Sequence, residues 1–189
     1  GGSDDDMSRR QQVARDTQLA ALRLSQVERS SDPADSIAGV SFRHLAMLAQ
    51  IKSNDDDVWG SLRRSGHLDG EPGDALTGRM RRMRNWVDGP HFPDAAKIVV
   101  QSSVGEEARA NLTEEHEDFL SALSGALSDC EWTDEAIGNC IKETIADVEI
   151  NGRDAYVALY WVILGKHHGP KASSLISEME RDLCIELIG

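Results

Sequence analysis

The chain contains few aromatic residues and few cysteines, and it has no long apolar run. Aromatic side chains make up 5% of the 189 residues, and the three cysteines, Cys130, Cys140 and Cys184, have no C-x-x-C spacing. That number and spacing predict neither a disulfide framework nor a zinc knot. No apolar stretch approaches the ~20 residues that span a bilayer. We therefore expect a cytoplasmic, core-forming protein with no metal, no cofactor and no membrane contact.

The amino terminus lacks the features of an export signal. Residues 1–6 are Gly-Gly-Ser-Asp-Asp-Asp, without a basic or apolar segment, and the chain does not begin with Met. This beginning is typical of a cloning remnant or of a fragment excised from a longer protein.

Positive charge is scarce and unevenly distributed in this chain of net charge −13. Residues 1–100 carry 14 basic and 15 acidic side chains, whereas residues 101–189 carry 6 and 18. Residues 79–84, Arg-Met-Arg-Arg-Met-Arg, hold four positive charges and no negative one. Because an acidic surface repels nucleic acid, a polyanion is expected to contact the chain at this arginine cluster.

The patterns of capping and apolar residues are helical throughout. A helix is predicted over about residues 7–28, from its Gln, Arg, Ala and Leu content. Further helices are predicted after the capping residues Ser41, Asn54 (or Asp55), Thr113 and Thr133. Residues 154–164 are apolar all round after Asp154, which indicates a central buried helix, and Gly169-Pro170 is predicted to open one last helix.

The arginine cluster lies on a helix predicted over residues 74–87. Helical spacing places Leu76, Met80, Met83 and Val87 on one apolar stripe, with Arg79 and Arg84 on its flanks. It places Arg81 and Arg82 on the opposite face. Residues 97–104 are compatible with a short strand or a helical turn.

The predicted fold class is therefore all-α, a helical bundle with two lobes. We predict an N-terminal helix and linker over residues 1–40, a first helical lobe with the arginine-rich helix over 41–90, and an acidic C-terminal lobe over 91–189.

Two stretches resemble the carboxy-terminal region of class I lysyl-tRNA synthetases. The first is Phe-Arg-His-Leu at 42–45, followed by Leu-Ala-Gln-Ile at 48–51. The second and more specific stretch is the apolar run at 158–164, followed by Gly-Lys-His-His-Gly-Pro-Lys at 165–171 and a helix with a mixed-charge middle at 178–182. The resemblance extends from about residue 42 to 188. It implies the helical anticodon-binding region called a helix cage, shared with bacterial glutamyl-tRNA synthetases, and recognition of the anticodon arm of a lysine tRNA.

The chain lacks the catalytic motifs of that family. It contains no His-x-Gly-His-type motif paired with a Lys-Met-Ser-Lys-Ser-type loop, and no phosphate loop. We expect that the chain alone does not activate an amino acid. The parent enzyme would be a lysine–tRNA ligase, with a catalytic domain in cis or in trans.

Two groups of residues are candidates for contact with tRNA, since phosphates need Lys or Arg and loop bases stack on aromatic rings. The first group consists of Arg63, Arg64, Arg79, Arg81, Arg82, Arg84 and Trp86. The second consists of Lys166, His167 and Lys171. The alternatives are a solvated arginine face, a Trp86 buried beside Met83, and a loop at 165–171 whose glycines and proline only set the turn.

Three functions fit these observations. The chain is predicted to be a tRNA-binding domain, either part of a class I lysine–tRNA ligase or a stand-alone relative. The alternatives are a helical protein-interaction module that has lost RNA binding, which its acidity favours, and a module that delivers tRNA to another reaction.

Overall fold

The computed structural model describes residues 39–189, and every regular element in that range is helical. A 3-10 turn at Asp94–Ala96 also occurs between the third and fourth α-helices. The α-helices are α1 (Phe42–Ile51), α2 (Asp55–Arg64), α3 (Asp74–Val87), α4 (Glu106–Asn111), α5 (Glu114–Asp129), α6 (Asp134–Val148), α7 (Gly152–Leu164), α8 (Ala172–Ile176) and α9 (Arg181–Ile188). The prediction of an all-α fold is confirmed. The helix predicted over residues 7–28 lies outside the described residues.

The predicted capping residues begin their helices as expected. Ser41 accepts a hydrogen bond from the amide of His44, at 3.1 Å, and Asn54 accepts one from Asp57, at 2.9 Å. Thr113 and Thr133 cap α5 and α6 in the same way. These bonds satisfy amide donors that a helix start otherwise leaves unpaired.

The helix α7 begins earlier than predicted and is less buried. Asn151 caps it, so Asp154 lies inside the first turn. Residues such as Ala158 and Leu159 are fully buried, whereas Tyr156 and Tyr160 are only partly covered. No side chain from Ala155 to Leu164 is exposed, so the prediction of a central helix holds, although some of these side chains are only partly buried.

The single last helix predicted from the sequence is in fact two helices. The first, α8, begins at Ala172 after Lys171 rather than at Gly169-Pro170, and it ends at Ile176. Glu180 then adopts an extended backbone, and its carboxylate accepts a hydrogen bond from the amide of Leu183 to start α9. The apolar spacing continues through the break, so periodicity alone does not reveal it.

The helices pack as two groups. In the front group, α1 packs against α2 and α3. In the back group, α5 packs against α6, α7 and α9, while α8 contacts α6 and α7. Buried apolar side chains from both groups form one continuous cluster. The domain boundaries predicted at residues 40 and 90 stay a prediction.

Glu178, between α8 and α9, connects the back group to the front group. Its carboxylate is only 7% exposed and lies 3.0 Å from Nζ of Lys52. The same carboxylate accepts a hydrogen bond from Oγ of Ser61 at 2.5 Å. Nζ of Lys52 also donates to the backbone carbonyl of Glu178, at 2.9 Å. Because breaking a buried charged pair is costly, this contact fixes the relative position of the two groups.

The segment at residues 97–104 is neither strand nor helix. It runs between the groups and donates hydrogen bonds to both of them. The amide of Ile98 donates to Oε1 of Gln50 on α1, at 2.8 Å, and the amide of Gln101 donates to the carbonyl of Ile163 on α7, at 2.8 Å. The segment therefore forms one wall of the space between the two groups.

No helix in residues 39–189 has the length and apolar character needed to cross a membrane.

Candidate nucleic-acid interface

The helix α3 presents its two central arginines to solvent. Leu76, Met80 and Met83 are buried against the front group, as the apolar stripe predicted. Arg81 and Arg82 are exposed, and neither takes part in an ion pair among the residues that the structure describes. Their guanidinium groups are therefore available to a phosphate.

Arg79 lies partly buried on the flank of α3. Its Nη1 donates to the backbone carbonyl of Val40, at 3.0 Å. Burial lowers the pKa of Arg79 from its ordinary value, and the like charge of Arg82 lowers it further. The side chain is thus partly used in holding the segment before α1.

Arg84 on the opposite flank is a structural residue. Its Nη1 donates to the carbonyl of Ala49 at 2.6 Å and to that of Lys52 at 2.8 Å, and its Nε donates to Oδ1 of Asp55 at 3.1 Å. The side chain is 22% exposed. Arg84 therefore satisfies the last carbonyls of α1 and joins α1 to the start of α2.

The arginines at the end of α2 are both ion-paired. Nη2 of Arg63 lies 3.0 Å from Glu71, and its Nε donates to the carbonyl of Gly70, at 2.8 Å. Nη2 of Arg64 lies 3.4 Å from the carboxylate of Glu178 and donates to Oγ of Ser61, at 2.9 Å. Part of their charge is already offset within the protein.

The loop between α7 and α8 also uses its cations internally. Lys171 pairs with Oδ2 of Asp134 at 2.8 Å, and Lys166 donates to the carbonyl of Lys97. His167 is exposed, with its ring next to that of His168.

Gly169 is required in this loop by packing, because an added Cβ would come within 2.8 Å of Tyr160 and 2.7 Å of Leu164. That close approach supports a structural role for the glycine.

Asp134 is held ionised by its neighbours. Burial alone would raise the pKa of Asp134, but hydrogen bonds from Lys171 and from the serines of α8 outweigh it and lower the pKa below the ordinary value of 3.8. Oγ of Ser174 donates to the same oxygen as Lys171, at 3.0 Å. Asp134 thereby ties the loop to the start of α6.

Trp86 belongs to a half-exposed aromatic cluster, so the alternative of a Trp86 buried beside Met83 does not hold. The ring of Trp86 is 39% exposed and meets Phe92 edge-to-face, with ring centroids 4.6 Å apart. The ring of Phe42 also contacts Trp86, with centroids 5.5 Å apart, and is 53% exposed. We call these three residues the aromatic cluster. A half-exposed ring of this kind offers a face to a ligand.

The aromatic cluster and the 165–171 loop line one cleft between the front and back groups. The cleft has a volume of about 660 Å³. Four basic side chains line it, Arg43, Lys97, Lys166 and Lys171, against two acidic ones, Asp134 and Glu178. Both carboxylates are paired with lysine. Lys97 in turn pairs with Asp94, so Arg43 and Lys166 are the basic side chains of the cleft that no carboxylate offsets among the described residues.

His44 adds no charge to the cleft at neutral pH. Its ring stacks on that of His67, with centroids 5.2 Å apart. Burial lowers the pKa of His44 from the ordinary 6.5, and His67 lowers it further. Among the lysines and arginines of the cleft, Arg43 and Lys166 have no carboxylate partner in the part of the chain that the structure describes.

The ten predicted site residues thus occupy different settings. Trp86, Lys166 and Lys171 share the cleft, whereas Arg81 and Arg82 stand on α3 outside it. Four predicted cations, Arg63, Arg64, Arg84 and Lys171, are ion-paired. Sequence reasoning did not select Phe42, Arg43 or Phe92. The first two belong to the Phe-Arg-His-Leu motif at 42–45, on which the family resemblance partly rests. That motif is the sequence signal that could have identified them.

The model of the anticodon binding domain family matches residues 73–188, well over half of the chain. The chain belongs to the anticodon-binding domain family. The match covers α3 to α9, and therefore includes the arginines of α3 and the loop of the cleft, while α1 and α2 precede it.

Curated relatives of this anticodon-binding domain are lysine–tRNA ligases of archaea. The enzyme of Picrophilus torridus is 22% identical over 147 residues, which are 78% of this chain and 28% of the relative. The enzyme of Methanopyrus kandleri is 29% identical over 164 residues, 79% of this chain and 29% of the relative. The enzyme of Archaeoglobus fulgidus is 28% identical over 142 residues, 74% of this chain and 28% of the relative. The resemblance to a lysyl-tRNA synthetase anticodon-binding region is confirmed. The chain spans less than a third of the length of these relatives.

Proposed function

We propose that this chain binds the anticodon arm of a lysine tRNA as the RNA-binding region of a class I lysine–tRNA ligase. The observation that carries the proposal is the pair of exposed arginines, Arg81 and Arg82, on a helix inside the part matched by the anticodon-binding family. Phosphate contacts from such side chains supply most of the affinity of a protein for RNA. In this proposal Arg79 and Trp86 flank the contact, and the other predicted residues support it from α2 and from the 165–171 loop.

The distribution of charge supports an approach of RNA from the side of α3. Most of the acidic excess lies in residues 101–189, which form α4 to α9. The arginines lie in the front group. An RNA that contacts α3 therefore gains attraction where repulsion from the back group is weakest, since repulsion between exposed charges is screened over roughly 8 Å at physiological salt.

The remainder of the enzyme supplies the chemistry in this proposal. The relatives are more than three times as long as the matched part of the chain. A catalytic domain, joined in cis or acting in trans, would perform ATP-dependent lysylation in the cytoplasm.

A charge-reversal pair tests the proposal directly. Binding of a lysine tRNA to R81E/R82E is measured by gel shift over a range of salt concentrations. We expect a loss of affinity of more than tenfold, and a salt slope less steep by about one unit or more, because two phosphate contacts are lost.

The matched control for this pair is R109E/R153E, which makes the same charge change on exposed side chains of α4 and α7. It is expected to bind nearly as well as the wild type. Equal losses in the two variants would indicate net charge alone, and unchanged binding by R81E/R82E would remove the proposal.

The strong acidity favours one alternative, a helical protein-interaction module that has lost RNA binding. The net charge of −13 is unusual for an RNA-binding partner. An interaction module would bind neither a lysine tRNA nor a mismatched tRNA in the same titration. A synthetase domain would prefer the lysine tRNA.

A further inference from the structure

The cleft between the two groups has properties that the arginine face of α3 does not explain. Its volume of about 660 Å³ lies within the range of roughly 300–1,000 Å³ typical of small-ligand sites. One part of its lining is the aromatic cluster, and another is the set of basic side chains from α1, the 97–104 segment and the 165–171 loop. An apolar wall and a cationic rim are thus combined in one concave surface.

The aromatic wall leaves its rings available. Phe42 and Trp86 are 53% and 39% exposed, and both belong to the front group. Apolar rings at this level of exposure gain free energy when a flat ligand covers them. The tilt of 49° between these rings opens an angle between them instead of letting them stack on each other.

The charge of the cleft selects an anion. Asp134 and Glu178 are each neutralised by a lysine, so they do not oppose a phosphate as free carboxylates. Arg43 is exposed on α1, and no ion pair involves it among the described residues. The unpaired charge of Arg43, in a chain of net charge −13, is complementary to a nucleotide phosphate.

We propose that this cleft receives one unstacked nucleotide of the bound RNA, with its base against the aromatic cluster and its phosphate against Arg43. The inference rests on the proposed function, because it describes where that RNA places a base. Stacking on an aromatic wall tolerates any base, so the cleft contributes affinity without reading sequence.

The test compares two RNA hairpins with the stem and loop length of the lysine anticodon arm. One hairpin carries normal loop nucleotides, and the other has loop riboses and phosphates without bases. For the wild type we expect the normal hairpin to bind about 5- to 150-fold more tightly, the range that stacking of one base on an aromatic ring provides.

Three variants locate this base-dependent preference. W86A is expected to reduce the ratio of the two affinities toward one, and W86F to retain most of it because a stacking ring remains. V99A removes an apolar side chain that is 61% exposed and does not line the cleft, so its ratio is expected to equal that of the wild type. Circular dichroism checks that each variant is folded.

Two further variants, R43A and R81E/R82E, distinguish contacts with phosphate from contacts with the base. R43A is expected to weaken both hairpins and lower the salt slope by about one unit, with the ratio kept, because Arg43 contacts only phosphate. R81E/R82E is likewise expected to weaken both hairpins and keep the ratio.

The failure of this inference and the failure of the proposed function give different results. If both hairpins bind with a salt-dependent affinity but equally well, or if W86A keeps the wild-type ratio, the cleft does not hold a base and only the inference is overturned. If neither hairpin nor the lysine tRNA binds, the proposed function fails and the inference fails with it.

Discussion

Two cationic stretches of this chain, residues 79–84 and residues 166–171, use positive charge in different ways. On α3, Arg81 and Arg82 point into solvent. In the loop between α7 and α8, Lys166 donates to a backbone carbonyl and Lys171 pairs with Asp134. A positive charge in the sequence is therefore available to a ligand only where the fold places no carbonyl or carboxylate within reach.

The comparison also holds within α3. Arg84 lies three positions from Arg81, yet it makes three hydrogen bonds to α1, α2 and the residue after α1. A helix turns by 100° at each residue, so neighbouring arginines face different surroundings. The cluster thus has a structural flank and an exposed face.

The largest expected effect is the loss of the structural arginine. R84A is expected to lower the free energy of unfolding by about 2–3 kcal/mol, because charged hydrogen bonds to otherwise unpaired carbonyls are lost. Urea unfolding measures the change, with R81A as the control expected to stay within about 0.5 kcal/mol of the wild type. Equal losses of stability in R84A and R81A would contradict the distinction between a structural Arg84 and a solvent-exposed Arg81. R84K keeps the positive charge but lacks the planar set of donors of arginine. Its free energy of unfolding is therefore expected to lie between those of R84A and the wild type.

A smaller effect is expected from the glycine of the second stretch. G169A places a Cβ within 2.8 Å of Tyr160 and 2.7 Å of Leu164, and we expect this overpacking to cost about 1–3 kcal/mol of unfolding free energy. The control is G105A, where an added Cβ meets nothing within 4 Å. Thermal unfolding of the two variants compares them. A wild-type melting temperature for G169A would show that the loop adjusts freely.

The smallest effect is expected for the loop ion pair. K171A should cost about 0.5–1 kcal/mol at neutral pH, as is typical of half-exposed pairs. Since the pKa of Asp134 is lowered in the folded protein, its contribution to stability is present above pH 3.8 and is lost as the pH falls below that value.

The same variant therefore predicts a pH dependence. K171A should be less sensitive to acid than the wild type over the range below pH 3.8, measured as unfolding free energy against pH. The same slope in both proteins would show that Lys171 does not hold the carboxylate ionised.

Local signals predicted the starts of the helices well. Ser41, Asn54, Thr113 and Thr133 cap the expected helices because an N-cap bond joins residues three apart and needs no distant partner. The break after α8 was missed for the opposite reason. It is held by contacts of Glu178 with Lys52 and Ser61, more than one hundred positions away, and by the indole of Trp132, which donates to the carbonyl of Met179.

The candidate site was predicted in part. Arg81 and Arg82 were placed correctly on the exposed face of α3, since the apolar stripe determines which side faces outward. Arg43 and Phe92 were not selected, because they approach the 165–171 loop only across the cleft.

The sequence alone determined the helical class, the starts of α1, α2, α3, α5 and α6, the exposed face of α3 and the family resemblance, because each depends on spacing within a few turns. The tertiary structure decided which cations are paired, which rings remain half-exposed, and that a cleft lies between the two groups. These properties depend on contacts between residues far apart in the chain, and no local pattern specifies which distant carbonyl or carboxylate will be near a given side chain.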